Sequence, residues 1–237
     1  MTVERMEQAR VWLERDRVLH ANMLEVLRRG SADALIAEEG GVLLHDTGCG
    51  AWMLAAEPDV AETFLDRVPA GCDLFVGHDM AYFELARARF GLPEREICWS
   101  AAYLDNVPLS VPAFGGELRL LDRSWAPWVL EHYSHAFADL AYMERAVDRG
   151  IIGAFVDGQP AGFVGFHDEG SIGMLEVLPA YRRRGLGSIL QRAAINLALE
   201  RGQIPFGQVI DGNEASLSLQ RKLGMSVSTS TLFWLMG

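Results

Sequence analysis

Residues 177 to 187 read Val-Leu-Pro-Ala-Tyr-Arg-Arg-Arg-Gly-Leu-Gly, an apolar run that halts at a proline and restarts beyond two glycines as the face of a helix. No other stretch constrains the fold as much. Ile172 to Leu178 is mostly apolar, and Pro179 cannot donate to a sheet ladder, so a strand is expected to end there. From Ser188 to Arg201, the residues Leu190, Ala193, Ala194 and Leu197 share one helical face, with Gly202 placed to stop the helix. Gly185 and Gly187 therefore lie where a strand turns into a helix. Glycine lets the backbone approach a ligand closely, and the N–H groups of the first turn, helped by the helix dipole, favour an anion. Arg182, Arg183 and Arg184 form the single run of three cations in the chain and supply countercharge for a small polyanion. Without the two glycines, the same run would read as a solvated arginine turn.

The chain has 237 residues, half of them hydrophobic, enough for one large core or two small ones. A net charge of −11 argues against binding nucleic acid or anionic membranes through the whole surface. No stretch approaches the roughly 20 apolar residues of a membrane helix, and the first residues are too charged for a secretory signal, so a cytoplasmic location is expected. Cys49, Cys72 and Cys98 are odd in number and lack CxxC spacing, which predicts buried or inert thiols rather than a disulfide framework or a zinc site.

Two prolines and two glycines between Leu104 and Gly116 suggest an extended connector and a domain boundary near residue 115, giving domains 1–115 and 116–237. Before it, the pattern predicts helices over 4–29, strands at 34–37, 41–44 and 51–55, a helix at 60–68, a strand at 73–76, a helix at 81–90 and a strand at 96–103. After it come a strand at 117–121, helices within 125–147, strands at 151–156, 162–167 and 172–178, the helix 188–201, a strand at 205–210, a helix at 214–223 and a strand at 227–235. The repeated order points to a structural duplication. At the place matching the glycine turn, the first half reads Ala56-Glu57-Pro58-Asp59, which is acidic.

Arg182, Gly185 and Gly187, led in by Val177, Pro179 and Tyr181 and followed by Asn213-Glu214-Ala215-Ser216 and Lys222-Leu223-Gly224-Met225, resemble the acyl-coenzyme A motif of the GCN5-related N-acetyltransferase (GNAT) superfamily. The resemblance covers about residues 117–237, and its Leu-Pro-x-Tyr-Arg and Asp-x-Asn-Glu-Ala stretches are similar to the glycine N-acyltransferase branch. It implies an α/β (α+β type) fold made of tandem GNAT-like copies, each a mixed, mostly antiparallel sheet flanked by helices, with the first copy degenerate. It also implies acetyl-CoA (acyl-CoA) as donor and the amine of a small molecule or amino acid as acceptor, attacked directly in a ternary complex. Nucleic acid and membrane are not expected as partners; a homodimer is left open. By the same resemblance Arg182, Arg183, Arg184, Gly185, Leu186, Gly187 and Ser188 hold the pyrophosphate. Leu175 and Val177 pair with the pantetheine arm, Asn213, Ser216 and Gln220 contribute to cofactor binding, and the Leu175 N–H stabilises the thioester oxyanion. Asn213 fits equally well as the N-cap of the following helix.

Amine transfer needs the ammonium deprotonated and the thiolate protonated or tolerated. Where relatives place a tyrosine acid this chain has Gln220, and where they place glutamate bases it has Gln208 and Ser171. Three readings follow: a displaced base among Asp168, Glu169, Glu176 and Asp211; an acceptor that needs no base; or a domain that binds acyl-CoA without turning it over, as a sensor. Glu176 stands mid-strand among apolar neighbours. If Leu175 and Val177 face the acceptor side, strict alternation turns Glu176 toward packed helices, and a bulge reverses that. His132 and His135, three apart on a predicted helix, read as an acceptor-site wall or solvated face. Trp125, Trp128, Tyr133, Phe137 and Tyr142 suit an aromatic acceptor or simple core packing. Gly158-Gln159-Pro160, with Asp157, reads as a hairpin turn. Dinucleotide binding of the Rossmann kind lacks its third glycine and is set aside.

Overall fold

A computed structural model describes residues 2–134 and 139–237, so the expectations for His135 and Phe137 lie outside the described residues. In chain order the elements are α1 (Val3–Leu13), α2 (Ala21–Arg29), β1 (Ala32–Glu38), β2 (Gly41–Asp46), β3 (Trp52–Ala56), α3 (Ala61–Leu65), β4 (Leu74–Gly77), α4 (Phe83–Phe90) and β5 (Glu94–Ala102). There follow β6 (Gly116–Leu120), α5 (Ala126–His132), α6 (Leu140–Gly150), β7 (Ile152–Val156), β8 (Gln159–Phe166), β9 (Ile172–Val177), α7 (Leu186–Glu200), β10 (Phe206–Ile210), α8 (Glu214–Lys222) and β11 (Ser226–Met236). Each element stands where the sequence pattern puts it, with ends displaced by a few residues.

The chain forms two compact units, one of Met1–Ala102 with Gln208–Gly237, the other of Tyr103–Gly207. This spatial division differs from a single cut near residue 115. In the first unit's mixed sheet, β1, β2 and β3 form an antiparallel meander and β4 joins β3 in parallel. The last strand, β11, lies between β4 and β5 and is antiparallel to both: Phe233 faces Gly77 on one side and Ile97 on the other. The C-terminal segment belongs to this unit because it completes the ladder there.

Its side chains complete the core as well. The ring of Phe233 is 6.1 Å from Phe75, 5.9 Å from Tyr82 and 5.0 Å from Phe83, all of them buried. Gly77 makes room for it, since a Cβ at that position would lie 2.2 Å from Phe233 Cζ. Gly77→Ala should therefore destabilise the protein by about 1–3 kcal/mol through overpacking; an unchanged melting temperature would show that the ring moves aside freely.

The second unit is a four-stranded antiparallel meander, β6-β7-β8-β9, with β9 at its edge. Helix α7 packs on β7, β8 and β9, while α5 and α6 enclose the core of Val129, Met143, Val147, Phe163 and Met174 on the other face. The β7–β8 turn is Asp157-Gly158, at φ 51° and 75°, and Gln159-Pro160 already belong to β8. The expected turn at 158–160 is thus shifted, for a physical reason: a two-residue hairpin turn needs both central residues at positive φ, which Asp and Gly tolerate and Pro cannot adopt.

Candidate functional site

After β9, Pro179–Tyr181 form one 3₁₀ turn, and the chain then reverses through two left-handed residues before α7 begins. These are Arg183 at φ 63° and Gly185 at φ 80°, the latter being the N-cap of α7. Nothing lies within 4 Å of where a Cβ of Gly185 would sit, and a Cβ at Gly187 would meet only Val177 Cγ2 at 3.8 Å and Leu175 Cδ2 at 4.0 Å. Gly185 is thus required by its φ, whereas Gly187 is not required by the protein's own packing. The N–H groups of Leu186 and Gly187 stand in the first turn, where no preceding helical carbonyl exists to accept them. Ser188 N–H bonds back to Gly185 O at 3.0 Å. Arg182, Arg183 and Arg184 are exposed around this turn; Arg182 Nε donates to Val177 O (2.8 Å), and the Arg184 guanidinium lies 5.8 Å from the Tyr181 ring centre. Open space, outward N–H groups and three guanidiniums make a cradle suited to a pyrophosphate. The corresponding turn of the first unit, residues 57–60, has no positive-φ residue and leads into a five-residue helix.

The edge strand β9 is irregular. Its pairing with β8 shifts by one residue between Phe163/Glu176 and Gly165/Gly173, and Met174, at φ 56°, is the bulged residue. Leu178 N–H donates to Ala161 O (2.9 Å), so along an alternating antiparallel ladder Leu175 and Val177 turn their N–H groups to the open edge. Their side chains lie toward Gly187 of α7. Glu176 is on the opposite face, where Ser134 Oγ donates to its Oε1 (2.6 Å) just past α5. Glu176 itself is half-buried.

The other candidates of this unit lie in the loop between β8 and β9. Ser171 is buried, and its hydroxyl donates to the buried Glu169 carboxylate. Asp168 pairs with Arg149 and lies 3.9 Å from Arg145. His167, which composition and spacing did not single out, stands beside them: its Nδ1 is 2.6 Å from the Tyr142 hydroxyl, and a Cβ at Gly173 would lie 2.3 Å from its Nε2. Burial, then the charge of Glu169, pushes the Tyr142 phenol up, so it stays protonated. The one sequence signal for His167 was its alternate position at the end of a strand. His132 stacks on Trp128 at 4.4 Å and bonds its carbonyl through Nδ1 (2.8 Å).

Asn213, Ser216 and Gln220 belong to the first unit. Asn213 caps α8, its Oδ1 accepting from Ser216 N–H (3.1 Å), and Gln220 is buried. In that unit Gln208 accepts from the Trp234 indole (2.6 Å), and Asp211 accepts from the Trp99 indole (2.8 Å). Cys98 is buried, Cys49 and Cys72 are half-buried, and all three are unbridged.

Residues 118–225 match the family model of the acetyltransferase (GNAT) family. No curated protein sequence matches the chain significantly. Among solved structures, a Drosophila protein superposes with TM-score 0.69 at 17% identity, covering 99% of this chain and 88% of its own. A GCN5-related N-acetyltransferase from Kribbella flavida gives TM-score 0.57 at 16% identity, with 93% and 94% covered. A GCN5-related N-acetyltransferase-like protein from Streptococcus suis gives 0.54 at 17%, with 98% and 100% covered. At such identities the likeness is one of fold: a mixed α/β GNAT fold in which a mixed sheet is flanked by helices. Residues 118–225, somewhat less than half of the chain, are thus similar to the acetyltransferase (GNAT) family, and the neighbours share its fold.

Proposed function

We propose that the protein transfers an acetyl group from acetyl-CoA to the amine of a small molecule or amino acid by direct attack in a ternary complex. The observation that carries this reading is the left-handed turn at Arg183 and Gly185, opening onto α7 beside the unpaired edge of β9. The turn and the arginines around it would hold the pyrophosphate, from Arg182 to Ser188. The Leu175 and Val177 backbone would pair with the pantetheine amides as an added strand does, and the Leu175 N–H would polarise the thioester carbonyl. When bound, the donor supplies an activated acyl carbon and a thiolate leaving group.

Glu176, on the α5 face of β9, is the carboxylate we assign to deprotonating the acceptor's ammonium. The first half is read as a degenerate copy of the same fold with its boundary near residue 115; the repeated element order and the plain turn at 57–60 support that reading. The Leu-Pro-x-Tyr-Arg and Asp-x-Asn-Glu-Ala stretches favour a place near the glycine N-acyltransferases.

Two measurements test the function together: thermal stabilisation by acetyl-CoA, and thiol release from it with a panel of amines. Stabilisation plus amine-dependent release is expected. Stabilisation with no release for any amine would make the protein a binder instead. Glu176→Gln should lower release about tenfold at neutral pH and recover as pH rises, because an acceptor that is already neutral needs no base. An undiminished rate at neutral pH would take that role from Glu176.

A further inference from the structure

Strand β6 closes one end of the second unit's sheet, pairing with β7 on one side and, among the described residues, with no strand on the other. Leu121 N–H donates to Ile151 O (2.8 Å), so along the alternating ladder Glu117 and Arg119 bond inward. Leu118 and Leu120 then turn their N–H and C=O groups to the open edge. Edge strands are ordinarily blunted by a bulge, a lysine or a proline. β9 is bulged at Met174, and β1, at the end of the first unit's sheet, shifts register between Ala32 and Ala34. By contrast, β6 keeps one register with β7 over its five residues, Gly-Glu-Leu-Arg-Leu, and holds neither lysine nor proline. Leu120 is 61% exposed.

The two faces of β6 differ. Leu118 and Leu120 look toward α7, where with Val111, Ile152, Ala193 and Leu197 they line a groove of about 410 Å³. The connector before β6 is pinned to α7 by Asn196, whose Oδ1 accepts from Leu109 N–H (2.7 Å) and whose Nδ2 donates to Leu109 O (2.8 Å). On the other face the Arg119 guanidinium lies 3.6 Å from the centre of the Phe155 ring and 3.1 Å from the Glu117 carboxylate, so both charges are already held in place. Side chains ordered beforehand lose little entropy on association.

We propose that β6 is a self-association edge, pairing antiparallel with β6 of a second copy of this chain across a two-fold axis, so that two four-stranded sheets become one. With the leucines kept on the α7 face, such a pair can centre on Glu117, Leu118 or Arg119. The first sets Glu117 directly against Glu117 and the last Arg119 against Arg119, and like charges directly opposite destabilise a strand pair. Centring on Leu118 does the reverse. Glu117 of each copy then faces Arg119 of the other in the close, non-hydrogen-bonded position, completing a ring of alternating charges. The outward backbone of Leu118 bonds to Leu118 of the second copy, and Leu120 stands opposite Gly116, which has no side chain to meet it. The grooves of the two copies adjoin across the axis and cover leucines that water otherwise reaches. An unrelated partner strand would not require this self-complementary order of charges. The surface is independent of acyl transfer, since β6 and β9 are opposite edges of one sheet.

Sedimentation velocity of the full chain over a range of concentrations would compare the wild type, Glu117→Arg, Arg119→Glu, the double reversal and a mixture of the two single variants, with melting temperature as the check on folding. The wild type should be dimeric. Each single reversal sets like charges in place of both attractive pairs and should raise the dissociation constant about tenfold or more. The double reversal should dimerise as the wild type does, and the mixture should form a one-to-one heterodimer, because each variant supplies the charge the other lacks. Should Arg119→Glu fail to fold, Glu117→Arg and Leu118→Pro test the same edge; the proline removes an outward N–H and no bond to β7, and both variants should be monomeric. A wild-type chain that stays monomeric overturns the proposal, whatever else the edge binds. So does a dimer that Glu117→Arg and Leu118→Pro leave intact, which places the contact on another surface.

Discussion

Gly187→Glu is expected to abolish stabilisation by acetyl-CoA while leaving the unliganded protein close to wild type in stability. Gly187 is the second residue of α7, after the N-cap Gly185. It has ordinary room for a Cβ, with Val177 at 3.8 Å and Leu175 at 4.0 Å, and its backbone is not in the left-handed region. A carboxylate in the first turn is favourable for the helix itself, by about 0.3–1 kcal/mol. It also fills and charges the cradle in which a pyrophosphate would lie, replacing an attractive field by a repulsive one. At a concentration 100 times its Kd, acetyl-CoA should stabilise the wild type by about 2.7 kcal/mol, or roughly 5–10 °C for a chain of this size. That increment should vanish in the variant. Retention of most of it would place the donor elsewhere and remove the foundation of the proposed function. Gly185→Ala is a poorer probe: at φ 80° it would strain the backbone, and lost binding could not be separated from lost structure.

The second large effect concerns the first unit and acid. His78 is 2% exposed, with Nδ1 2.9 Å from Leu54 O and Nε2 2.8 Å from Asn22 Oδ1. Burial, with neighbouring His20 adding to it, pushes the imidazole down to about 3. The folded chain therefore leaves this ring neutral where the unfolded chain, below about pH 6.5, charges it. The unfolded state binds more protons across that window, so stability rises with pH there. The stability present at neutral pH is lost as pH falls from about 6.5 toward about 3, at ~1.4 kcal/mol per unit and ~5 kcal/mol in all. Burial lowers His20 as well, which adds in the same direction. Urea unfolding at stepped pH should show this slope in the wild type and a shallower one in His78→Gln. Equal slopes would mean that the ring is charged within the fold.

These two predictions differ in how much of their basis could be read from residues alone. The Gly187 argument was legible: Pro179 ends a strand, Gly185 permits a positive φ, and an amphipathic run follows, all local features within a dozen residues. The same locality explains why each strand and helix stands where its periodicity put it, and why Asn213 was recognisable as a cap. Where residues two apart in a hairpin decide the turn, the reading slipped: Asp157-Gly158 makes the β7–β8 reversal, and Gln159 is already strand. His78 was not legible, because its burial depends on β3, β4 and α2 converging from distant parts of the chain.

The face on which Glu176 stands was a conditional statement until the register of β9 was known. A bulge at Met174 inserts one residue into a pattern of period two, and no alternation of apolar and polar residues says where such an insertion occurs. His167 went unnoticed for the same reason, since only the folded hairpin brings its ring over Gly173.

By itself, then, the sequence determined the order of elements, the glycine turn and the anion-favouring character of the α7 start, because backbone sterics and helix-end chemistry act over a few residues. Tertiary structure alone decided that β11 lies between β4 and β5, that residues 208–237 complete the first unit, and that Glu176 stands on the α5 face of β9. Those outcomes depend on pairings between residues far apart in the chain, whose energies arise only once the strands meet.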